Sequence, residues 1–417
     1  MKFAKRALKL PIVSVTAVTL GFVGAGVRAA TFSTVLTFDG PNGGNPTGDF
    51  IADAQGNLYG VEAGGLYEFD PNTETITTLA TFQYTAGGFE YYGDGSSPQG
   101  GVISDAAGNL YGAALEGGPC NEGTVYELNR STDTIVPLAS FNDNIGGPNT
   151  GEYPRGRLMA DAAGNLYGTT SQGGPGVGGT IFKLNLGTGT LTTLVSFNGV
   201  NGIGPSLKFN DQGGNLYGTT SGDQLNNYGT IFKLSESTGK STVLASFSIG
   251  SSLQYPTDIV PYAPGYIYGT ANGGGAYGDG AIFALDLNTG TIATVASFNG
   301  TDGWDPAGLI VDAAGNLFGT TLQGGATDHG TVFELARGSD TIDTLYSFTG
   351  GQDGSWPNSE LYADSNGDLF GTTAFSEFEE GSIYELTGSG FVVVPEPSGF
   401  CLLCLAGRIA LRRRRTA

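Results

Sequence analysis

DAAGNLYG runs from Asp105 to Gly112 and recurs, letter for letter, from Asp161 to Gly168. Near-copies end at Gly60, Gly218, Gly269, Gly319 and Gly371, so seven versions stand 50 to 56 residues apart. Around the clearest one the chain reads RLMADAAGNLYGTTSQGGPGVGGTIFKLNLGTGTLTTLVSF, from Arg157 to Phe197. Eleven residues separate the Gly of LYG from the Gly opening GTIFKL in five copies and ten in the last, while the first is shortened, with Gly65 only five residues on. Within a unit, apolar and polar residues alternate with a period of two over stretches bounded by Gly, Asn and Asp, which marks half-buried strands. Four such strands fit each unit: one ending at Asp161, then NLYGTT, GTIFKL and TLTTLVSF. Four short antiparallel strands at a period near fifty describe a β-propeller blade. Seven copies predict an all-β, seven-bladed β-propeller. The rival repeat architecture, a parallel β-helix, has coils much shorter than fifty residues.

The recurring aspartate is first read as a turn residue. In DAAGN, Asp161 suits the first position of a type I turn, where its carboxylate accepts the following backbone N–H groups, and Gly164 suits the left-handed position of a G1 bulge. Asp53, Asp105, Asp211, Asp312 and Asp364 recur in the same place, and the fifth copy substitutes Pro264-Gly265. A ring of carboxylates for metal binding or catalysis is the other reading of the same residues. Three aromatics also recur per unit, as in Tyr167, Phe182 and Phe197. At fixed strand positions in every unit they fill the wedge between blades, each burying ~150 to 250 Å²; stacking against sugar rings is the alternative. A strand-like segment, Thr31 to Phe38, matches the fourth strand of the other units, whereas the last unit offers only FVVV (391–394) there. The N-terminal strand is therefore expected to complete or flank the last blade and seal the ring.

Composition agrees with this architecture. The 72 glycines interrupt every long apolar stretch, which argues against helix, and 24 Phe with 19 Tyr supply a large core. Residues 1–30 place Lys2, Lys5, Arg6 and Lys9 before an apolar run ending in small residues, the pattern of a secretory signal peptide cleaved after Ala29 or Ala30. The expected mature body, residues 31–394, holds eight basic and 38 acidic residues, a net charge of −30. Such a body repels phosphate backbones, which argues against a nucleic-acid partner. It favours solubility and attracts divalent cations. Cys120 is the one cysteine of the body, so no disulfide framework exists and stability must come from packing.

Residues 395–417 carry Pro395, Glu396 and Pro397, a short apolar stretch and the arginines 412 to 415, a stop-transfer arrangement. This tail resembles the PEP-CTERM sorting signal of Gram-negative bacteria that make exopolysaccharide. The resemblance implies an exosortase-type processing enzyme as partner, with Pro395, Glu396 and Pro397 as the sorting motif, transient membrane anchoring, and a place at the cell surface or in the extracellular matrix. Arg408 interrupts the apolar stretch, and a mid-membrane arginine is costly unless it snorkels. The residues NLYGTT, GG, GTIFKL and LxSF in this order, over roughly Phe50 to Leu386, resemble the GloVer tandem repeat of Gloeobacter and Verrucomicrobia proteins. That resemblance implies no catalytic residues.

Candidate chemistry is sparse. The single histidine, His329, lies in the loop TDHG, which leaves no ordinary zinc cluster, and no nucleophile motif accompanies it. No site pattern selects a catalytic pair among the acids, and an enzyme is not the expected reading. The loops after each SF strand are more distinctive: FNGTDGWDP (298–306), FTGGQDGSWP (348–357) and FQYTAGGFEYYGDGSSP (82–98). Trp304, Trp356, Tyr91 and Tyr92 would set aromatic platforms on one face beside Asp94, Asp302, Asp305 and Asp353, a combination suited to carbohydrate and, as the one cofactor this chemistry admits, Ca²⁺. Solvated turns with an anchoring aromatic are the plain alternative. Three functions stay open: a structural or adhesive module in the extracellular polysaccharide layer, a lectin-like binder using the loop face, or a polysaccharide hydrolase or lyase.

Overall fold

A blade begins to fold back at its aspartate. In a computed structural model, described over residues 30–40, 43–82, 95–142, 149–211, 213–222, 227–248, 251–376 and 380–393, the Asp161 and Asn165 backbones pair (N–H to O 3.0 Å) and Gly164 donates to the Asp161 carbonyl at 3.0 Å. Gly164 has φ +79°, where a Cβ would be strained. The Asp161 carboxylate takes four bonds. Oδ1 accepts the N–H groups of Ala163 (2.9 Å) and Asn165 (2.8 Å), and Oδ2 accepts Asn165 Nδ2 (2.6 Å) and the Tyr167 hydroxyl (3.0 Å). Asp53, Asp105 and Asp211 repeat this network with Tyr59, Tyr111 and Tyr217. The tyrosine of LYG, read from sequence as wedge filler alone, is thus also the cap of the turn. In the fifth copy Tyr262 stands in the aspartate's place and donates to the Gly315 carbonyl of the next blade at 2.8 Å.

From this turn the strands meander outward as four-stranded antiparallel sheets, in the third blade Glu152–Ala160, Asn165–Gln172, Thr180–Asn185 and Thr190–Ser196. The Gly of LYG pairs with the aromatic of GTIFKL, as Gly319 does with Phe333. The ring lies across the glycine, and a Cβ on Gly168 would stand 2.4 Å from Phe182 Cζ. Glycine recurs there because an aromatic covers it.

Seven sheets form a ring of seven blades. The first strand of each is innermost: Thr47–Ala52, Ser96–Ser104, Glu152–Ala160, Ile203–Asn210, Leu253–Pro261 and Trp304–Val311, with the seventh split into Ser355–Pro357 and Tyr362–Ala363. The N-terminal strand Thr31–Thr37 pairs antiparallel with Ser382–Thr387 and completes the seventh blade as its outermost strand. The expected closure is therefore the observed one. Segment 391–393 does not take a strand position. It crosses to the sixth blade, where Val392 donates to Asp312 Oδ2 at 3.2 Å and Phe391 packs on Phe318 at 5.2 Å between centroids.

Each seam between blades has its own apolar cluster, as in Tyr167, Ile181, Phe197, Leu207, Leu216, Phe232 and Leu234 between the third and fourth. At every seam the Phe closing one unit meets the third-strand aromatic of the next. Examples are Phe197 on Phe232 at 5.5 Å and Phe298 on Phe333 at 5.1 Å. Such pairs add roughly 0.5 to 1.5 kcal/mol beyond area burial, so wedge filling is the role of these rings.

A second device recurs at the seams. Every blade enters its inner strand through a proline (46, 98, 154, 205, 256, 306, 357), and the preceding residue is left-handed in all seven: Asn45, Ser97, Tyr153, Gly204, Tyr255, Asp305 and Trp356, with φ from +48° to +60°. For a non-glycine residue this costs about 1 to 2 kcal/mol. The strain is offset by reach. Tyr153 N–H donates to Glu122 O of the previous blade at 2.9 Å, and Asn45 to Glu380 O at 2.7 Å. The proline ring meanwhile packs on the previous blade's glycine before its third strand; a Cβ at Gly330 would stand 2.7 Å from Pro357 Cδ.

Candidate binding face

Antiparallel strands send successive connections to opposite ends, so the ring sorts its loops by face. The aspartate turns and outermost hairpins form a turn face. The loops between second and third strands, and those leading to the next blade, form a loop face. Both tryptophans of the chain lie on the loop face and are exposed, Trp304 by 37% and Trp356 by 43%, and Phe375 (40%) and Tyr277 (67%) are exposed on the same face of blades seven and five.

Trp304 donates its indole N–H to Asp328 Oδ1 at 3.1 Å, and the same oxygen accepts Gly324 N–H at 2.9 Å. These two donors, Gly324 first, hold the Asp328 carboxyl below the usual range. Trp356 donates its backbone N–H to the carbonyl of the next residue, His329, at 3.1 Å, and its ring meets Phe375 edge-on at 5.3 Å. One loop, Asp328-His329, therefore contacts both tryptophans. The His329 ring lies against Gly350, and its Nδ1 is buried without a hydrogen-bond partner.

The remaining expected residues divide. Asp302 accepts Asn299 N–H at 2.9 Å, and burial pushes its carboxyl up. Asp305 is half-buried and pushed up by burial against a hydrogen bond from Asn272. Asp353 is buried, and its carboxylate is taken up by Thr349 N–H (2.7 Å), Thr349 Oγ1 (2.6 Å), Gly351 N–H (3.2 Å) and the Tyr346 hydroxyl (2.9 Å). Tyr91, Tyr92 and Asp94, and the motif Pro395, Glu396 and Pro397, lie outside the described residues. Between blades five and six a cleft of about 360 Å³ opens beside Tyr277, Asn299 and Asp302. Among the described residues no three His, Cys, Asp or Glu side chains gather into a group that could hold a metal ion.

Charge is segregated as well. Arg130, Lys183, Lys233, Lys240 and Arg337 sit at the turn face or its hairpins; Lys183 Nζ, for example, is 3.8 Å from Asp161. The other three basic side chains of the described body, Arg155, Arg157 and Lys208, belong to inner strands. On the loop face, the loops of blades five to seven carry Asp279, Asp302, Asp305, Asp328 and Asp353 and no Lys or Arg.

The sequence profile of the Gloeobacter/Verrucomicrobia repeat matches residues 88–263 and 255–395, well over half of the chain. The chain belongs to this repeat family. Its first blade, with the shortened turn at Gly64, lies N-terminal to the match. No curated protein matches the chain. Among solved structures, the extracellular domain of a one-component system from B. thetaiotaomicron is similar over 84% of this chain and 39% of that one, with 13% identity and a TM-score of 0.57. Virginiamycin B lyase from Staphylococcus aureus covers 86% and 99%, with 12% identity and a TM-score of 0.56. Oligogalacturonate lyase from Vibrio parahaemolyticus covers 89% and 97%, with 12% identity and a TM-score of 0.56. The chain thus spans about two-fifths of the sensor domain, and at these identities the likeness is one of fold.

One feature of this repeat-family propeller escaped the sequence reading. Asp49, Arg157, Lys208, Asp258 and Glu360, from blades one, three, four, five and seven, converge on the axis. Lys208 Nζ lies 3.4 Å from Asp258 Oδ1, Asp258 Oδ2 accepts Leu309 N–H at 2.9 Å, and Asp49 Oδ1 accepts Glu360 N–H at 2.9 Å. Burial, then Asp49 and Asp258, push the Glu360 carboxyl well above its ordinary value. Burial alone would lower Lys208, but the carboxylates of Asp258, Asp49 and Glu360 outweigh it and raise it. Blade six has glycine there: a Cβ on Gly308 would stand 2.8 Å from Glu360 Cα, so its absence lets inner strands meet. A charge three to four residues before the turn position in five of the seven units (Asp49, Arg157, Lys208, Asp258 and Glu360) was the available signal, masked in blade four by a bulge at Leu207/Phe209.

Proposed function

We propose that this propeller is an exported interaction module of the cell surface or extracellular polysaccharide layer, with a structural or adhesive role, that presents its loop face outward. The observation that carries the reading is the opposition of the two faces. Among the described residues four of the five exposed large aromatics, Tyr277, Trp304, Trp356 and Phe375, lie on the loop face, with Tyr266 alone on the turn face, whereas Thr31, paired with Thr387, and segment 391–393, bonded to the Asp312 turn, leave the ring at the turn face. A tail that begins two residues after Val393, processed at Pro395 to Pro397 by an exosortase-type enzyme and held transiently at the membrane, would turn the tryptophans away from the bilayer. The extracellular sensor domains among the similar structures support export, and the lyases show that the same fold also serves catalysis.

Carbohydrate binding at the loop face is the second reading, supported by the exposure of Trp304 and Trp356. The test pairs a deletion strain with a turnover assay. Loss of surface attachment or matrix cohesion is expected, with no new reducing or unsaturated ends when purified residues 31–394 meet the host's own polysaccharide. Release of such ends would replace the interaction role with a hydrolase or lyase.

A further inference from the structure

Aromatic rings on a surface are common singly; four in a row across three adjacent blades, beside carboxylates and without a cation, specify more. Tyr277, Trp304, Trp356 and Phe375 follow one another over blades five to seven, all at least 37% exposed. Both tryptophans are fixed by the neighbouring loop Asp328-His329. Trp356 takes the left-handed position before Pro357 that every blade has, and the neighbouring blade clamps its backbone N–H through His329 O. Trp304 is oriented by Asp328, so an ionised carboxylate lies at the edge of an exposed indole. Asp279, Asp302 and Asp305 stand along the same loops, and the cleft of about 360 Å³ continues the row below Tyr277 toward Asp340.

Rings with adjacent carboxylates and no nearby ammonium or guanidinium attract cations through both the ring quadrupole and Coulomb's law. They repel uronate or sulfate chains. Sugar rings supply flat C–H faces for stacking, and an amino sugar adds a positive charge at each unit.

We propose that the row Tyr277, Trp304, Trp356 and Phe375 is the binding track for a polysaccharide of amino sugars carrying free ammonium groups. This rests on the interaction role assigned to the loop face and names its ligand class. Charge complementarity selects that occupant over neutral and acidic glycans.

The probes are a partly deacetylated β-linked glucosamine oligomer, its fully N-acetylated counterpart of equal length, and an oligogalacturonate, titrated into residues 31–394 by calorimetry. The free-amine oligomer is expected to bind, at least about tenfold more tightly than the acetylated one, and to weaken as salt rises. The oligogalacturonate is expected not to bind. Trp304→Ala and Trp356→Ala should each weaken binding by about tenfold with unchanged circular dichroism, and Asp328→Asn should flatten the salt dependence. Equal binding of the acetylated oligomer, preferential binding of the oligogalacturonate, or tighter binding of a lysine-rich peptide would overturn the proposal. If the protein attaches to the host matrix yet ignores all three glycans, the ligand class is wrong and the interaction role stands. If deletion leaves attachment intact, the interaction role itself falls.

Discussion

Replacing Asp161 by alanine tests whether the repeated aspartate is a structural or a ligand group. The carboxylate accepts four hydrogen bonds, from Ala163 N–H, Asn165 N–H, Asn165 Nδ2 and the Tyr167 hydroxyl. The Ala163 donor is exposed and can turn to water. The other three are part-buried, and leaving such donors unsatisfied costs ~1 to 3 kcal/mol each where water cannot reach. With partial rehydration the expected loss is about 2 to 4 kcal/mol. Tyr167→Phe alone should cost about 1 kcal/mol, and the double variant should fall short of the sum by a similar amount, because both remove the same bond. Urea unfolding of residues 31–394 at pH 7 measures all three. Acid supplies a second readout. Burial alone would raise the Asp161 pKa, but the hydrogen bonds from Asn165, Tyr167 and Ala163 outweigh it and hold it below the ordinary 3.8. A depressed carboxyl contributes stability above its unfolded pKa and loses it as pH falls through the folded one. Wild type should therefore lose more stability than Asp161→Ala on acidification from about pH 5 to below 3.8. A variant as stable as wild type, or one fully additive with Tyr167→Phe, would refute the turn reading and reopen the carboxylate ring.

Gly168→Ala places a methyl against the Phe182 ring, 2.4 Å from Cζ, and should cost about 1 to 3 kcal/mol by overpacking, with Phe182→Leu in the same chain relieving part of it; melting temperatures decide this. Glu360→Gln should raise stability at pH 7 to 8. The Glu360 pKa is raised in the fold, so wild-type stability falls as pH rises from the ordinary 4.5 through the folded value, and the amide removes that dependence in a melting series. Deleting residues 31–38 strips the outermost strand from blade seven and the Phe32 ring from Tyr346, where it stacks at 3.7 Å. Oligomers by light scattering are expected from the bare edge of Ser382–Thr387, and a monomer with unchanged melting would show that closure is dispensable.

The blade itself was legible in the letters because its signals are local. Asp, Gly, Asn and Tyr at offsets of three, four and six close one hairpin, period-two alternation sets one sheet, and seven copies imply seven blades. Closure by Thr31–Thr37 was legible too, since the segment matches the strand the last unit lacks. The tryptophans of the loop face could be named, and antiparallel connection alone places them together.

What the letters could not assign is every contact that joins distant repeats. The Asp49 carboxylate meets a backbone N–H 311 residues away at Glu360, and Lys208 meets Asp258 of the next blade. A left-handed residue before each proline is unfavourable taken alone, so only the neighbouring blade's carbonyl makes sense of it. Segment 391–393 resembles a fourth strand, yet that position is already filled from the N-terminus, and it docks on blade six instead. Sequence periodicity determines the unit because hydrogen bonds within a hairpin are near in the chain. The order of charges around the axis, and the face on which the ends emerge, exist only once the ring has closed.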